Sequence, residues 1–113
     1  MRSTREVLED HLECRRALDL ESDLRRNYAH EVVLLSWGEG VHRGHGGVRL
    51  LADVLRTYLP EGKYRYDDLI VGDAYGLLRW SGTGPDGEEL RGVDSFVVGQ
   101  GQITAQTISY VTD

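Results

Sequence analysis

Leu77-Leu78-Arg79-Trp80-Ser81-Gly82-Thr83-Gly84-Pro85-Asp86-Gly87-Glu88-Glu89-Leu90-Arg91-Gly92-Val93-Asp94-Ser95-Phe96 is the stretch that decides the fold. Asp86-Gly87 between alternating apolar runs is a strong hairpin signal, because glycine tolerates the positive φ that a tight turn demands. Taking Asp86 and Gly87 as a two-residue loop sets Arg79 directly opposite Asp94. Side chains alternate faces along a strand. Arg79 is therefore expected to share a face with Leu77, Ser81, Thr83, Leu90, Gly92, Asp94 and Phe96. Leu78, Trp80, Val93, Ser95 and Val97 are expected on the other. Both faces carry apolar residues and one also carries a charge pair, which predicts a polar spot in a pocket. An exposed cross-strand ion pair is the plainer alternative, and such pairs are weak.

Working outward, strands are predicted at about 64–71, 74–84, 89–98 and 103–112, with turns at Gly72-Asp73 and Gly99-Gln100-Gly101. Upstream the pattern is helical. Ser3-x-x-Glu6 has the form of a capping box, and Val7, Leu8, Leu12, Cys14 or Arg15, and Leu18 recur at helical spacing up to about Leu20. Ser22 or Asp23 is the expected cap of a short second helix over 24–29. A strand is predicted over 31–37, then a glycine-broken loop over 38–47. A third helix is expected over about 46–59, stopped by Pro60-Glu61-Gly62. Helices followed by antiparallel strands predict an α+β domain, with a curved sheet wrapping the helices.

The 113 residues suit one domain, expected over 1–113. The net charge of −6 and thirteen scattered basic residues argue against a nucleic-acid footprint. No apolar run approaches the ~20 residues that span a bilayer, and the expectation is a soluble cytoplasmic protein with no membrane partner. Cys14 reads as a small buried apolar residue, with His11 the one neighbour able to activate it. His42-x-x-His45 lacks a carboxylate or thiol at matching spacing, so no metal is expected. The glycines around it do not follow the phosphate-loop order. No nucleotide, flavin or haem cofactor is predicted.

Several segments together resemble the nuclear transport factor 2-like superfamily, in its ketosteroid isomerase-like and SnoaL-like polyketide cyclase branch. They are Asp19-Leu20-Glu21-Ser22-Asp23-Leu24, Tyr28-Ala29-His30-Glu31-Val32, Arg43-Gly44-His45-Gly46-Gly47-Val48, and Gly92-Val93-Asp94-Ser95-Phe96-Val97-Val98 with Gly101-Gln102-Ile103. The resemblance implies a cone-shaped, cystatin-like α+β roll, with three N-terminal helices packed in the concave face of a strongly curved mixed or antiparallel sheet. It also implies a hydrophobic cavity open at one end and a homodimer paired through the convex sheet face, with Leu78, Trp80, Val93, Val97, Thr107 and Val111 as the expected contact.

Asp94 matches the aspartic acid of the isomerases' oxyanion hole. Ser36 matches their aspartate base and cannot serve as one, and their helix-one tyrosine falls near Cys14. An Arg79 guanidinium opposite Asp94 would lower the carboxyl's pKa and make it an oriented carboxylate. The family pattern points Gln106, Ile108 and Tyr110 inward. The implied function is a cofactor-independent enzyme that isomerises, cyclises or hydrates a small apolar polyketide- or terpenoid-like ligand. Asp94 and Arg79 are the expected catalytic pair. Tyr28, Ser36, Ser81, Gln106, Tyr110, Leu12, Leu34, Leu55, Phe96 and Ile108 are the expected binding residues, with Leu51 beside them. A catalytically silent ligand-binding or dimerisation module is the alternative, favoured by the serine at position 36.

Overall fold

A computed structural model describes residues 1–61 and 63–112; Gly62, expected to help stop the third helix, lies outside the described residues. Three helices and six strands follow one another as α1 (Thr4–Arg16), α2 (Leu20–Asn27), β1 (Tyr28–Ser36), β2 (Gly40–Arg43), α3 (Gly44–Tyr58), β3 (Tyr64–Gly72), β4 (Tyr75–Thr83), β5 (Glu89–Gly99) and β6 (Gln102–Thr112). The strands form one open mixed sheet in the order β2-β1-β6-β5-β4-β3. Only β1 against β6 is parallel among the described pairs. The helices pack against the sheet as the α+β reading expects.

Local chemistry explains where the elements start and stop. The Ser3–Glu6 capping box forms in both directions. The first helix ends at Arg16, before the expected Leu20, because Leu18 adopts a left-handed φ of 55°. Asp19 then caps α2 by accepting from the Ser22 amide at 3.1 Å. Neither Ser22 nor Asp23 is the cap, and Asp23 is thereby released to face the interior. The loop expected over 38–47 contains a short edge strand, β2, whose turn uses Gly40 at φ 81°.

The core is one cluster of buried apolar side chains. Val7, Leu8, Leu12 and Leu24 from the helices meet Val32, Leu34, Leu78, Trp80, Phe96 and Ile103 from the sheet. Each fully buried Leu or Phe side chain in such a cluster is worth about 1.5–3 kcal/mol relative to exposure.

The decisive hairpin folds with a different register. Thr83 pairs with Glu89, Leu78 with Asp94, and Arg79 with Val93. The reason is Pro85. In a two-residue loop it would be a closing residue and would have to donate an N–H that proline lacks. Gly84 closes the hairpin instead, its amide donating to the Glu88 carbonyl at 2.8 Å. The turn runs from Gly84 to Gly87, with Pro85 in its favoured second position and Gly87 at φ 79°. One extra loop residue turns every side chain of β4 to the opposite face.

Arg79 therefore points outward, 68% exposed, 3.8 Å from Asp68, and its expected pairing with Asp94 does not exist. Leu78 and Trp80, expected on the outer face, are buried inside. Ser81 goes outward with Arg79. It is covered there by Arg65, which donates to its hydroxyl, and by Asp67, which accepts from it. The faces of β5 and β6 are as expected. Among the described residues no helix is long and apolar enough to cross a membrane.

Candidate active site around Asp94

Between the helices and the inner face of the sheet lies a pocket of about 70 Å³, with a mostly apolar wall. The backbone of β5 brings Asp94 to its wall, and the neighbouring strands supply the partners. The Trp80 indole N–H donates to Asp94 Oδ1 at 3.0 Å, and the Gln106 amide donates to Oδ2 at 3.1 Å. Gln106 is fixed in turn, its carbonyl oxygen accepting from the Tyr28 hydroxyl at 2.5 Å. That bond assigns the orientation of the amide, so that its NH2 faces the carboxylate.

Gly92 makes the tryptophan contact possible. It lies directly across from Trp80, and a Cβ there would stand 2.2 Å from the indole. Only a residue without a side chain lets the ring lie across β5 and reach Asp94.

The electrostatics differ from the expectation in sign. Burial pushes the Asp94 carboxyl up to about 6, against the Trp80 and Gln106 hydrogen bonds and the charges of His11 and Arg15, which favour the anion. Two neutral donors and more distant cations do not replace the lost hydration, so desolvation wins. The expected lowering by Arg79 fails because the guanidinium is on the other side of the sheet. Burial also raises the Tyr28 hydroxyl well above its ordinary range and pushes Tyr66 up to about 12, so both remain neutral.

A second polar group on the wall is the pair His11 and Asp23. The imidazole Nδ1 lies 2.8 Å from Asp23 Oδ2, and the Asn27 amide donates to Oδ1 at 2.9 Å. The ring sits edge-on to Tyr28 and Phe96, at centroid distances of 5.7 and 5.4 Å.

Of the sequence-predicted residues, Asp94, Tyr28, Ser36, Gln106, Tyr110, Leu34, Leu51, Leu55 and Ile108 line the pocket. Leu12 and Phe96 are buried in the core behind the wall, not on it, and Ser81 and Arg79 lie on the opposite face of the sheet. Sequence reading missed His11, Asp23, Arg15, Trp80 and Gly92. A signal existed for His11: it stands four residues after Val7 and three after Leu8, within the apolar stripe of α1. Cys14 is buried and receives the Arg26 guanidinium at 3.0 Å, while His11 is committed to Asp23. Burial, with the charges of Asp23 and Asp10, raises the thiol's pKa. His42 and His45 each engage a backbone carbonyl at 3.0 Å, those of Glu39 and Tyr28.

No family model matches the chain, and no curated protein does. Solved structures match by shape. An NTF2-like protein of unknown function from Mesorhizobium loti is 20% identical, with a TM-score of 0.79 over 96% of this chain and 90% of its own. Another Mesorhizobium loti protein, named provisionally as a SnoaL-like polyketide cyclase, is 18% identical, with a TM-score of 0.67 over 95% of this chain and 98% of its own. A Kribbella flavida protein, named provisionally as a ketosteroid isomerase, is 15% identical, with a TM-score of 0.75 over 96% of this chain and 77% of its own. The fold is therefore the nuclear transport factor 2-like cone. SnoaL-like and ketosteroid isomerase-like proteins are among its structural neighbours.

Proposed function

We propose that this chain is a cofactor-independent acid/base enzyme of the SnoaL-like or ketosteroid isomerase-like kind, acting on a small apolar ligand by isomerisation, cyclisation or hydration. One observation carries the reading: Asp94 is a buried carboxyl on a pocket wall, held by two neutral donors, with its pKa raised to about 6. A group titrating there is available as base and as acid near neutral pH, which is the condition for efficient proton transfer. Above pH 6 the anion accepts a proton from a carbon acid or from water. The carboxylic acid so formed returns that proton to another atom of the ligand. Trp80 and Gln106 keep the oxygens oriented throughout, and Tyr28 keeps Gln106 oriented. Poor solvation makes the anion a stronger base than an exposed aspartate.

The probe 5-nitrobenzisoxazole opens its ring after a single proton abstraction from carbon and reports by absorbance. The expected rate rises with pH through about 6 and then levels, and Asp94→Asn lowers it by about 10²- to 10⁴-fold. Turnover that survives the substitution would sink the reading. The silent module would then be the better account, in line with Ser36 on the wall where the resembling isomerases carry a carboxylate base.

We also propose a homodimer through the outer sheet face. With Trp80 and Leu78 turned inward, the exposed apolar residues there include Leu77, Val93, Val97 and Val111, with Ile70 opposite Leu77 and Tyr75 opposite Val97. A contiguous apolar surface of this kind suits a second copy of itself. Sedimentation at micromolar concentration is expected to give a dimer that Val93→Lys with Val97→Lys converts to a monomer; a wild-type monomer would overturn it.

A further inference from the structure

Arg15 is the feature that the acid/base reading leaves unused. It stands on α1 and lines the same pocket as Asp94, half-buried, with Leu20, Tyr64 and Tyr66 beside it on the wall. Its guanidinium carbon lies 5.6 Å from the centre of the Tyr64 ring. Its hydrogen-bonding partners on the wall are neutral: the Tyr64 hydroxyl at a long 3.5 Å, and the Tyr66 hydroxyl. No carboxylate pairs with it there. By contrast Arg16, Arg26, Arg49, Arg56 and Arg65 each pair with a carboxylate outside the pocket.

Arginine does not deprotonate in proteins, so the pocket holds a permanent cation that has lost part of its hydration; the charges of Asp23 and Asp94 on the same wall act on it only from beyond contact distance. The chain as a whole is acidic, at −6, so this cation is not an outlier of a basic surface. Guanidinium presents a planar fork of donors that matches a carboxylate in two parallel hydrogen bonds. The rest of the wall is aromatic and aliphatic, which suits an apolar body. Asp94 lies elsewhere on that wall and makes no ion pair among the described residues.

We propose that Arg15 is an anion-recognition residue and that the ligand is an apolar-bodied monocarboxylate, its carboxylate on the Arg15 fork and its reacting carbon toward Asp94. This rests on the reading of the pocket as a small-molecule site and names the ligand class for it. The cation gives the pocket a direction. A ligand anchored at Arg15 presents its uncharged end to Asp94, and the reverse orientation would set two carboxyl groups together.

The test compares 3-phenylpropionate with its neutral isostere 3-phenylpropanamide by titration calorimetry on the intact chain. The acid is expected to bind about 10- to 100-fold more tightly than the amide, the range of a charge-assisted hydrogen-bonded contact. Arg15→Gln is expected to level the two affinities, and Arg15→Lys to keep part of the preference. Circular dichroism melting verifies that each variant folds, and the wild-type comparison needs no variant. Equal affinities for wild type, no binding of the acid, or a preference that survives in Arg15→Gln would overturn the proposal. Asp94→Asn separates the two readings. A variant that keeps both the acid preference and the ring-opening rate sinks proton transfer by Asp94 and upholds ligand recognition by Arg15. A variant that keeps the preference and loses the rate upholds both.

Discussion

The two faces of the β3–β4–β5 sheet treat their carboxylates in opposite ways. On the outer face, Asp68 sits 56% exposed beside Arg79, and Glu89 is bound by Arg65; water does most of the solvating and the pairs add little. On the inner face, Asp94 has no cation in contact among the described residues, only an indole and an amide. One strand, β4, supplies a partner to each face from successive residues, Arg79 outward and Trp80 inward. The lesson is that a charge partner is not what makes a carboxyl reactive. The carboxyl with the neutral partners is the one shifted toward neutral pH, because burial removes hydration that two neutral hydrogen bonds only partly restore.

That contrast is open to direct attack, most forcefully through pH. Asp94 keeps its proton to about 6 in the folded protein and to about its ordinary 3.8 when unfolded, so the folded state binds the extra proton between those values. Stability contributed by Asp94 is therefore present at low pH and is lost as pH rises through that window. At about 1.36 kcal/mol per pH unit, the loss is about 3 kcal/mol. Urea denaturation from pH 4 to pH 8 should find the wild type losing that much relative to Asp94→Asn. Curves that stay parallel across the window would mean that the carboxyl is solvated and that the two faces do not differ.

A smaller effect is expected from Gly92→Ala. The added methyl group forces the indole away from β5 at a cost of about 1–3 kcal/mol. It also takes from Asp94 one of the two bonds that favour the anion. The midpoint of the rate–pH profile with 5-nitrobenzisoxazole should move upward. A destabilised variant with an unmoved midpoint would show that Gly92 serves packing alone. Arg79→Ala is the outer-face counterpart, expected to change stability by no more than about 0.5 kcal/mol and to leave the midpoint in place.

Much of the fold was legible without coordinates. The capping box, the apolar stripes of α1 and α3 and the period-two pattern of β5 and β6 each follow from local geometry. With the period of β5 came Asp94 as an inward residue; Gln106, Ile108 and Tyr110, together with Tyr28 and Ser36, came from the resemblance to the family. The error at β4 was also local. Pro85 lacks the N–H that closes a two-residue hairpin, and weighing it against Asp86-Gly87 would have placed Trp80 inside and Arg79 outside. The short strand β2 was hidden by its glycines, whose turn-forming signal outweighs four residues of edge pairing.

Other features depended on distance in space. Asp23 resembles a helix cap in sequence, and only the position of Asp19 and the packing of α2 on α1 turn it toward His11. Arg15 is one charged residue among several on α1, and the helix's rotation against β3 decides that it enters the pocket while Arg16 stays with Glu13 outside. What the sequence determined by itself was what its near neighbours could enforce: the helix and strand periods, the capping box of α1 and the faces of β5. The tertiary structure alone decided the pKa of Asp94 and the unpaired state of Arg15, because desolvation and charge pairing depend on which groups from distant segments surround an atom.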